Sequence, residues 1–509
     1  MKSKIILNRN FTIGAVDDRI FGGFLEHLGR AIYEGIYQPD HPSADEDGFR
    51  TDVLALVREL NMPLTRYPGG NFVSGYRWED GVGPREKRPV RPDLAWKALE
   101  PNTFGTDEFM KWCRKANTVP MMSVNLGTRG ADAAQQLVEY CNFPGGTALS
   151  DLRRANGSPD PYRIKVWCLG NEMDGPWQLC HRTAEEYGRI ACEAAKMMKL
   201  TDPTIELVVC GSAHRDMPTL GIWEETVLEH TYDQIDYLSL HQYFGNPSDT
   251  TEGYLALPER MADYIEGIVA CCDAVRARRR AEKRIMLSFD EWNVWFHSNG
   301  AEQNSPEWTV ARPLLEDRYN MEDALVAGMM LITLLNHADR VKIACLAQTV
   351  NVIAPIMTDK NGGAWRQTIF HPFALTSRYG RGTALRTVTT SPGYDAEYRN
   401  GAEARTEHFR NIPFLYSACI HNEARSEVIV FAVNRRLDGP LDLEIQLQEF
   451  QPSEVLEHQC LHHPDLKAVN TAECETVRPE PLSGARLAGE TVTVELPAAS
   501  WNMIRIKLD

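Results

Sequence analysis

Two apolar runs of this sequence end in carboxylates. Val166-Trp-Cys-Leu-Gly leads into Asn171 and Glu172, and Met286-Leu-Ser-Phe leads into Asp290 and Glu291. Two such carboxylates converging on one cavity are what hydrolysis of a glycosidic bond needs, one to donate a proton and one to act as base or nucleophile. Either Glu alone reads equally well as a helix cap or an arginine partner. An Asn-Glu and a Glu-Trp-Asn at two such ends favour the chemical reading. Arg66 and Asn71 flank Pro68-Gly69-Gly70, where the glycines permit a tight turn and the flanking side chains offer donors to a carboxylate or to hydroxyls. Further polar ends are Glu26-His27, His241-Gln-Tyr243 and Gln348-Thr-Val-Asn351. His241 taken alone is as readily a satisfied buried histidine as a functional one. Trp78, Trp96, Trp292 and Trp295 are candidate platforms for sugar rings, or core residues.

The elements that must position these residues follow from the apolar periodicity. Strands are expected at 20–25, 63–67, 120–126, 164–169, 206–211, 237–241, 285–289 and 342–348. Helical patterns lie between them at 49–60, 106–116, 131–141, 184–200, 224–232, 256–280 and 322–337. Thr183 followed by Glu186 has the spacing of a capping box. Eight strand–helix units predict an α/β fold, a (β/α)₈ TIM barrel, whose active site lies at the C-terminal strand ends. After residue 379 the pattern becomes period-two, as in Leu441-Asp-Leu-Glu-Ile-Gln-Leu and Thr491-Val-Thr-Val-Glu-Leu. This predicts a C-terminal antiparallel β-sandwich that also takes in the N-terminal strands. The expected division is 1–18 for those strands, 19–378 for the barrel and 379–509 for the sandwich.

The chain has 509 residues, 24% charged and 43% hydrophobic, with a formal net charge of −16. Its 11 Trp, 17 Tyr and 17 Phe argue against disorder, and its acidity argues against nucleic acid or an anionic membrane as partner. Ile5-Ile6-Leu7 is too short for a secretory h-region, and no stretch approaches the roughly 20 apolar residues of a membrane span. A cytoplasmic protein whose twelve cysteines are reduced, most of them in apolar runs, is the expectation. Cys460, His462, His463 and Cys474 lack a recognised zinc spacing, and Glu26-His27-Leu28 lacks the His-x-His of a metal-dependent barrel hydrolase. The chemistry demands no metal or cofactor.

The sequence resembles the α-L-arabinofuranosidases of glycoside hydrolase family 51 over essentially its whole length. The most specific segments are FLEHLGRAIYEG at 24–35, RYPGGNFVSGYRW at 66–78, WCLGNEMDG at 167–175, DEWNVW at 290–295 and LLEDRYNMEDA at 314–324. The resemblance implies that Glu172 is the general acid/base and Glu291 the nucleophile. It makes Asn171 a ligand for the sugar 2-hydroxyl and Tyr243 a hydrogen-bond partner of the nucleophile. It places Glu26, Arg66, Asn71 and Gln348 around a furanose pocket, with Trp96 and Trp295 near its mouth. It also implies a homo-oligomer, commonly a hexamer.

The expected reaction is exo-acting removal of terminal α-L-arabinofuranosyl residues from arabino-oligosaccharides, with retention. Retention requires carboxyls about 5–5.5 Å apart, against more than roughly 6.5 Å for inversion. Desolvation and the second carboxylate are expected to raise the pKa of Glu172. The loops at 75–102 and 296–315 are expected to shape the leaving-group side. A β-xylosidase or endo-β-glucanase on the same barrel is the alternative. A non-catalytic carbohydrate-binding protein is disfavoured because both carboxylates are present.

Overall fold

Eight short parallel strands close into a barrel in the computed structural model, which describes residues 1–297, 306–399 and 406–509. They are β1 (Gly22–Phe24), β2 (Leu64–Tyr67), β3 (Val119–Val124), β4 (Val166–Leu169), β5 (Glu206–Val209), β6 (Tyr237–Phe244), β7 (Met286–Val294) and β8 (Val341–Leu346). Neighbours in the barrel are neighbours in sequence, and β8 pairs with β1 to close it. The strands are buried on both faces, as parallel strands wrapped by helices must be, hence their nearly unbroken apolar runs. Phe24, Leu64, Met121, Val166, Cys168, Val208, Ile343 and Cys345 fill the interior below the functional end.

The principal outer helices are α1 (Thr51–Leu60), α2 (Thr106–Ala116), α3 (Ala131–Asn142), α4 (Ala184–Thr201), α5 (Ile222–Thr231), α6 (Pro258–Arg279), α7 (Met321–Asn336) and α8 (Phe370–Tyr379). The Thr183–Glu186 capping box is formed at α4, and Asn320 with Asp323 makes another at α7. Helix α7 is apolar all round because it is covered on all sides: Trp501 fills the space beside Gly328, and Thr333 and Asn336 bond Tyr416 and Ser417. It is the seam between the barrel and the rest of the chain. Helix α8 was not among the expected helices. It has no side-chain N-cap and carries Pro372 in its first turn, so it lacks the start signals that mark α4 and α7.

The expected sandwich is one ten-stranded sheet curled on itself. Its order is Glu480–Pro481, Pro452–Leu461, Ser500–Leu508, Glu427–Asn434, Leu415–Asn422, Thr383–Thr390, Lys2–Ala15, Leu441–Gln448, Thr491–Leu496 and Arg486–Ala488. The curl brings Pro452–Leu461 at one end against Arg486–Ala488 at the other. It encloses a core that includes Ile5, Leu7, Val430, Ile445, Val492 and Ile504. The N-terminal strand lies in the middle of this sheet, antiparallel to Thr383–Thr390 but parallel to Leu441–Gln448. One parallel pair therefore interrupts the expected antiparallel order.

Three barrel strands differ from expectation where the site is built. The first is only three residues long, preceded by a 3₁₀ turn at Asp18–Phe21. β6 runs on to Phe244, so Tyr243 lies on the strand rather than after it. β7 runs on to Val294, with its register against β6 shifted between Ser288 and Glu291.

Candidate active site

Polar side chains crowd the C-terminal end of the barrel because six of its strands, β1, β2, β4, β6, β7 and β8, deliver one or more of them there. Along β6, Ser239, His241 and Tyr243 are each two residues apart, so period-two geometry turns all three to the same face, toward the barrel axis. The same rule would send Asp290 and Glu291 to opposite faces. The irregularity in β7 re-aims the strand, and both carboxylates reach the cluster. Glu172 leaves β4 through a kink in which Gly170 has φ 91° and Glu172 itself φ 42°, a left-handed conformation that a glutamate adopts at a cost.

Arg66 on β2 organises the centre. It is 1% exposed and lies over the Phe24 ring at 4.5 Å. Its Nη1 donates to Glu291 Oε1 at 2.7 Å and its Nη2 to Asn171 Oδ1 at 2.8 Å, while Nε lies 3.4 Å from Asp290 Oδ2. Burial works against the guanidinium charge, but Asp290 and Glu291 keep it protonated. The Tyr243 hydroxyl donates to Glu291 Oε2 at 2.8 Å, so both oxygens of Glu291 accept from fixed donors. Burial, and then the charge of Glu291, hold the Tyr243 phenol well above its ordinary pKa, which keeps its proton in place.

Glu172 is held differently. His241 Nδ1 lies 2.9 Å from its Oε1, and the Trp177 indole N–H donates to its Oε2 at 2.7 Å. Burial raises the carboxyl pKa, yet these donors prevail and hold Glu172 below the ordinary carboxylate range. The expected upward shift is thus reversed, because a cationic imidazole touches this group. His241 is pushed up to about 10: burial opposes its charge, but Glu291, Asp290 and Glu172 offset that. Its Nδ1 is also 3.5 Å from Glu291 Oε2, and its Nε2 lies 3.2 Å from Ser239 Oγ and 3.5 Å from Asp290 Oδ1. Asp290, accepting from the Ser239 hydroxyl and from Cys168 Sγ, is kept ionised against its burial by Arg66 and His241.

One oxygen of Glu172, one of Glu291 and a ring nitrogen of His241 lie within 4.8 Å of one another. Carboxylates so close leave no room for the water that an inverting enzyme places between them. Among the described residues this is also the one cluster with a spacing that could hold a metal ion. Its lone pairs already accept from Arg66, Tyr243, Trp177 and His241, so the donor set is satisfied within the chain.

A third carboxylate, Glu26, lies near enough to Glu291 to feel its charge. Its Oε1 accepts from the Phe72 backbone N–H at 2.9 Å and the Trp96 indole N–H at 3.0 Å. Gln348 donates to its Oε2 at 3.2 Å and accepts from its backbone N–H at 2.9 Å. Burial pushes Glu26 up to about 8, with the nearby Glu291 charge adding to the rise and the Phe72 N–H opposing it. A side chain at Gly70 would run into this carboxylate, so the glycine is required by close approach. Asn171 Nδ2 has only long contacts of 3.5 Å, to Asn71 and Gln178, and retains donor capacity.

Of the tryptophan candidates, Trp295 is 36% exposed and stands edge-on to Tyr243 at 5.4 Å. Trp78 and Trp292 are core residues instead, packed on Tyr140 and Phe373. His27 is spent in the core, between Glu100 and Tyr67. Cys460 is buried in a strand and Cys474 is exposed. Of the 296–315 loop, residues 298–305 lie outside the described residues.

The chain as a whole is similar to known proteins. The family models described as "Alpha-L-arabinofuranosidase 1 domain" and "Alpha-L-arabinofuranosidase C-terminal domain" match residues 56–254 and 290–500. The chain is 53% identical over 506 residues to the intracellular exo-α-(1→5)-L-arabinofuranosidase 1 of Bacillus subtilis, covering 99% of both. The chain belongs to the α-L-arabinofuranosidases of glycoside hydrolase family 51. Within that family it is 46% identical to an exo-α-(1→6)-L-arabinofuranosidase of Bifidobacterium longum, over 99% of this chain and 97% of that one. It superimposes on AbfB, a family 51 α-L-arabinofuranosidase from Bifidobacterium longum, with a TM-score of 0.92 at 43% identity, covering 99% of each chain.

Sequence reasoning passed over Trp177, Ser239 and the place of Asp290. Trp177 lies five residues beyond Glu172 in a Gly/Pro-rich loop with no periodicity to orient it. Asp290 was legible as a carboxylate, but only the bulge shows that it shares the cavity with Glu291.

Proposed function

We propose that this chain is a retaining, exo-acting α-L-arabinofuranosidase that removes terminal non-reducing arabinofuranosyl residues from short arabino-oligosaccharides inside the cell. The observation that carries this reading is the carboxylate pair within 4.8 Å, one member gripped by Arg66 and Tyr243 and the other by His241 and Trp177. The relatives named as intracellular exo-arabinofuranosidases support the sugar, the exo action and the compartment. Among the described residues no helix is long and apolar enough to cross a membrane.

In this reading Glu291 attacks the anomeric carbon as the bond to the departing oxygen breaks, and an ester joins sugar to enzyme. The proton for that oxygen comes from Glu172, backed by His241, whose Nδ1–H lies 2.9 Å from Oε1. The pair holds one mobile proton and titrates as a unit. Water then gives a proton to Glu172 and its oxygen to the anomeric carbon, releasing arabinose with its configuration retained. Asn171 binds the 2-hydroxyl, and Glu26, Arg66, Asn71 and Gln348 enclose the furanose, with Trp96 and Trp295 at the mouth. We assign 1–18 and 379–509 to the curled sheet and 19–378 to the barrel, and read the assembly as a homo-oligomer, a hexamer by family resemblance.

The test is nitrophenol release from 4-nitrophenyl α-L-arabinofuranoside beside the β-D-xylopyranoside and β-D-glucopyranoside. Release from the furanoside alone, abolished in Glu291→Gln, is the expected result, and turnover confined to either pyranoside refutes the sugar assignment. Glu172→Ala should lose most on poor leaving groups, because a nitrophenolate departs without protonation.

A further inference from the structure

The loops after β2, β3 and β4 enclose a second cavity at the functional end of the barrel, with a volume of about 460 Å³. Sites for small ligands measure roughly 300–1,000 Å³ and set a few convergent polar groups among apolar walls. Here Phe72, Tyr76 and Leu179 supply apolar walls, and Arg77, Asp93 and Asn102 are polar groups of the lining. Each of these three keeps unspent bonding capacity. The exposed Arg77 guanidinium has no partner among the described residues. Asp93, only 8% exposed, accepts from the backbone N–H groups of Ala95, at 3.0 Å, and Trp96, and no side chain among the described residues donates to it. Burial pushes its carboxyl up to about 7, with the Ala95 N–H opposing the rise and the Glu100 charge adding to it. Asn102 is 1% exposed, and its Nδ2 donates to the Pro89 carbonyl at 2.7 Å. That bond fixes the amide and leaves Oδ1 without a partner among the described residues.

This cavity lies between the residues that hold Glu26 and the loop that holds Glu172. Phe72, part of its lining, donates its backbone N–H to Glu26 at 2.9 Å. The turn closed by Asp93 carries Trp96, whose indole N–H donates to the same carboxylate at 3.0 Å. On the other side Leu179 and Cys180 follow closely on Trp177, the partner of Glu172. Buried acceptors beside a free donor, over apolar walls, match a ring that offers hydroxyls at its edge and C–H groups on its face. An anionic ligand fits poorly, because Asp80, Asp93 and Glu100 line the same cavity and Arg91 is already paired with Asp80 at 2.9 Å.

We propose that this cavity is a distal subsite, which takes a neutral pentose residue of the substrate beyond the one released as the leaving group. The proposal rests on the reading of the chain as an exo-acting arabinofuranosidase. Arg77 donates to the oxygens of that residue, while Asp93 and Asn102 accept from its hydroxyls. None of the three touches the reacting atoms, so they are specificity-determining residues. Binding energy from a remote part of the substrate then raises kcat/KM for longer chains over the shortest one. Chain-length preference is thereby placed on the loops after β2, β3 and β4.

The experiment measures kcat/KM for 1,5-α-L-arabinobiose, arabinotriose and arabinotetraose. The biose has no residue beyond its leaving group, so it is the internal reference. In the wild type kcat/KM should rise by about tenfold at one of the two lengthening steps, the scale of one or two new hydrogen bonds. Arg77→Ala removes the free donor from an exposed position and should cut that gain by about fivefold. Asp93→Asn keeps an oxygen for the Ala95 N–H, exchanges the other for an amide, and should cut the gain by about threefold. The ratio of long to short substrate is the readout, because a merely structural role would lower turnover of all three alike. Thermal unfolding of each variant shows that it is folded. A wild-type series flat from biose to tetraose, or a gain that survives intact in both variants, would overturn the subsite. Failure of the wild type to cleave even the biose would instead remove the activity on which the subsite rests, a result distinct from a flat series.

Discussion

His241 gives the most quantitative prediction, because its charge is balanced against buried groups whose positions are known. Glu172 lies 2.9 Å from Nδ1, Glu291 3.5 Å from Nδ1 and Asp290 3.5 Å from Nε2. The other cation in the cluster is Arg66, bonded to Glu291 and facing Asp290. With its pKa at about 10 rather than 6.5, the imidazolium favours the folded state below pH 6.5. At about 1.4 kcal/mol per pH unit of difference, this amounts to at most about 5 kcal/mol. A pKa raised on folding contributes stability that is complete below the unfolded value and lost as pH climbs to the folded one. The wild-type advantage over His241→Gln should therefore be largest near pH 6 and vanish toward pH 10, falling by about 1 kcal/mol per pH unit between. The assay is thermal unfolding of both proteins at half-unit steps from pH 6 to 10. For a chain of this size that slope corresponds to a melting-temperature gap closing by about 1–2 °C per pH unit. Parallel curves across the range would mean that His241 is neutral in the folded protein. The charge balance drawn for Glu172 would then be wrong.

Two further outcomes follow from the same cluster. Arg66→Met leaves Glu291 and Asp290 buried without their cation, so it should cost about 3–5 kcal/mol of stability and nearly all turnover; denaturant titration beside the furanoside assay checks both. Glu26, pushed up to about 8, is neutral at pH 7 and gains charge above pH 8, next to Glu291. Inhibition by free arabinose should weaken above pH 8 in the wild type and stay flat with pH in Glu26→Gln; the same pH dependence in both would remove Glu26 from the pocket.

The sequence by itself determined the periodicities and the residue types. Apolar runs between amphipathic stretches imply eight strands with seven helices between them, because parallel strands buried on both faces and helices buried on one leave those signatures. The runs ending in Asn171-Glu172 and Asp290-Glu291, and the glycine turn after Arg66, were legible for the same reason: polar residues at the ends of buried strands stand out locally. Tertiary structure decided what local pattern cannot encode. The bulge in β7 depends on register against β6, and it turns Asp290 into the same cavity as Glu291. Trp292 and Trp295 sit three residues apart in one motif, yet one packs on Phe373 and the other reaches solvent, because helix α8 covers only the first. The direction of the Glu172 pKa shift was reversed from expectation by His241, which lies 69 positions away in sequence. A pKa is set by the charges and donors within a few ångströms, and chain order does not say which these are. The curled sheet carries the same lesson, since alternation marked its strands while the parallel seating of Lys2–Ala15 against Leu441–Gln448 arises only once the two ends of the chain meet.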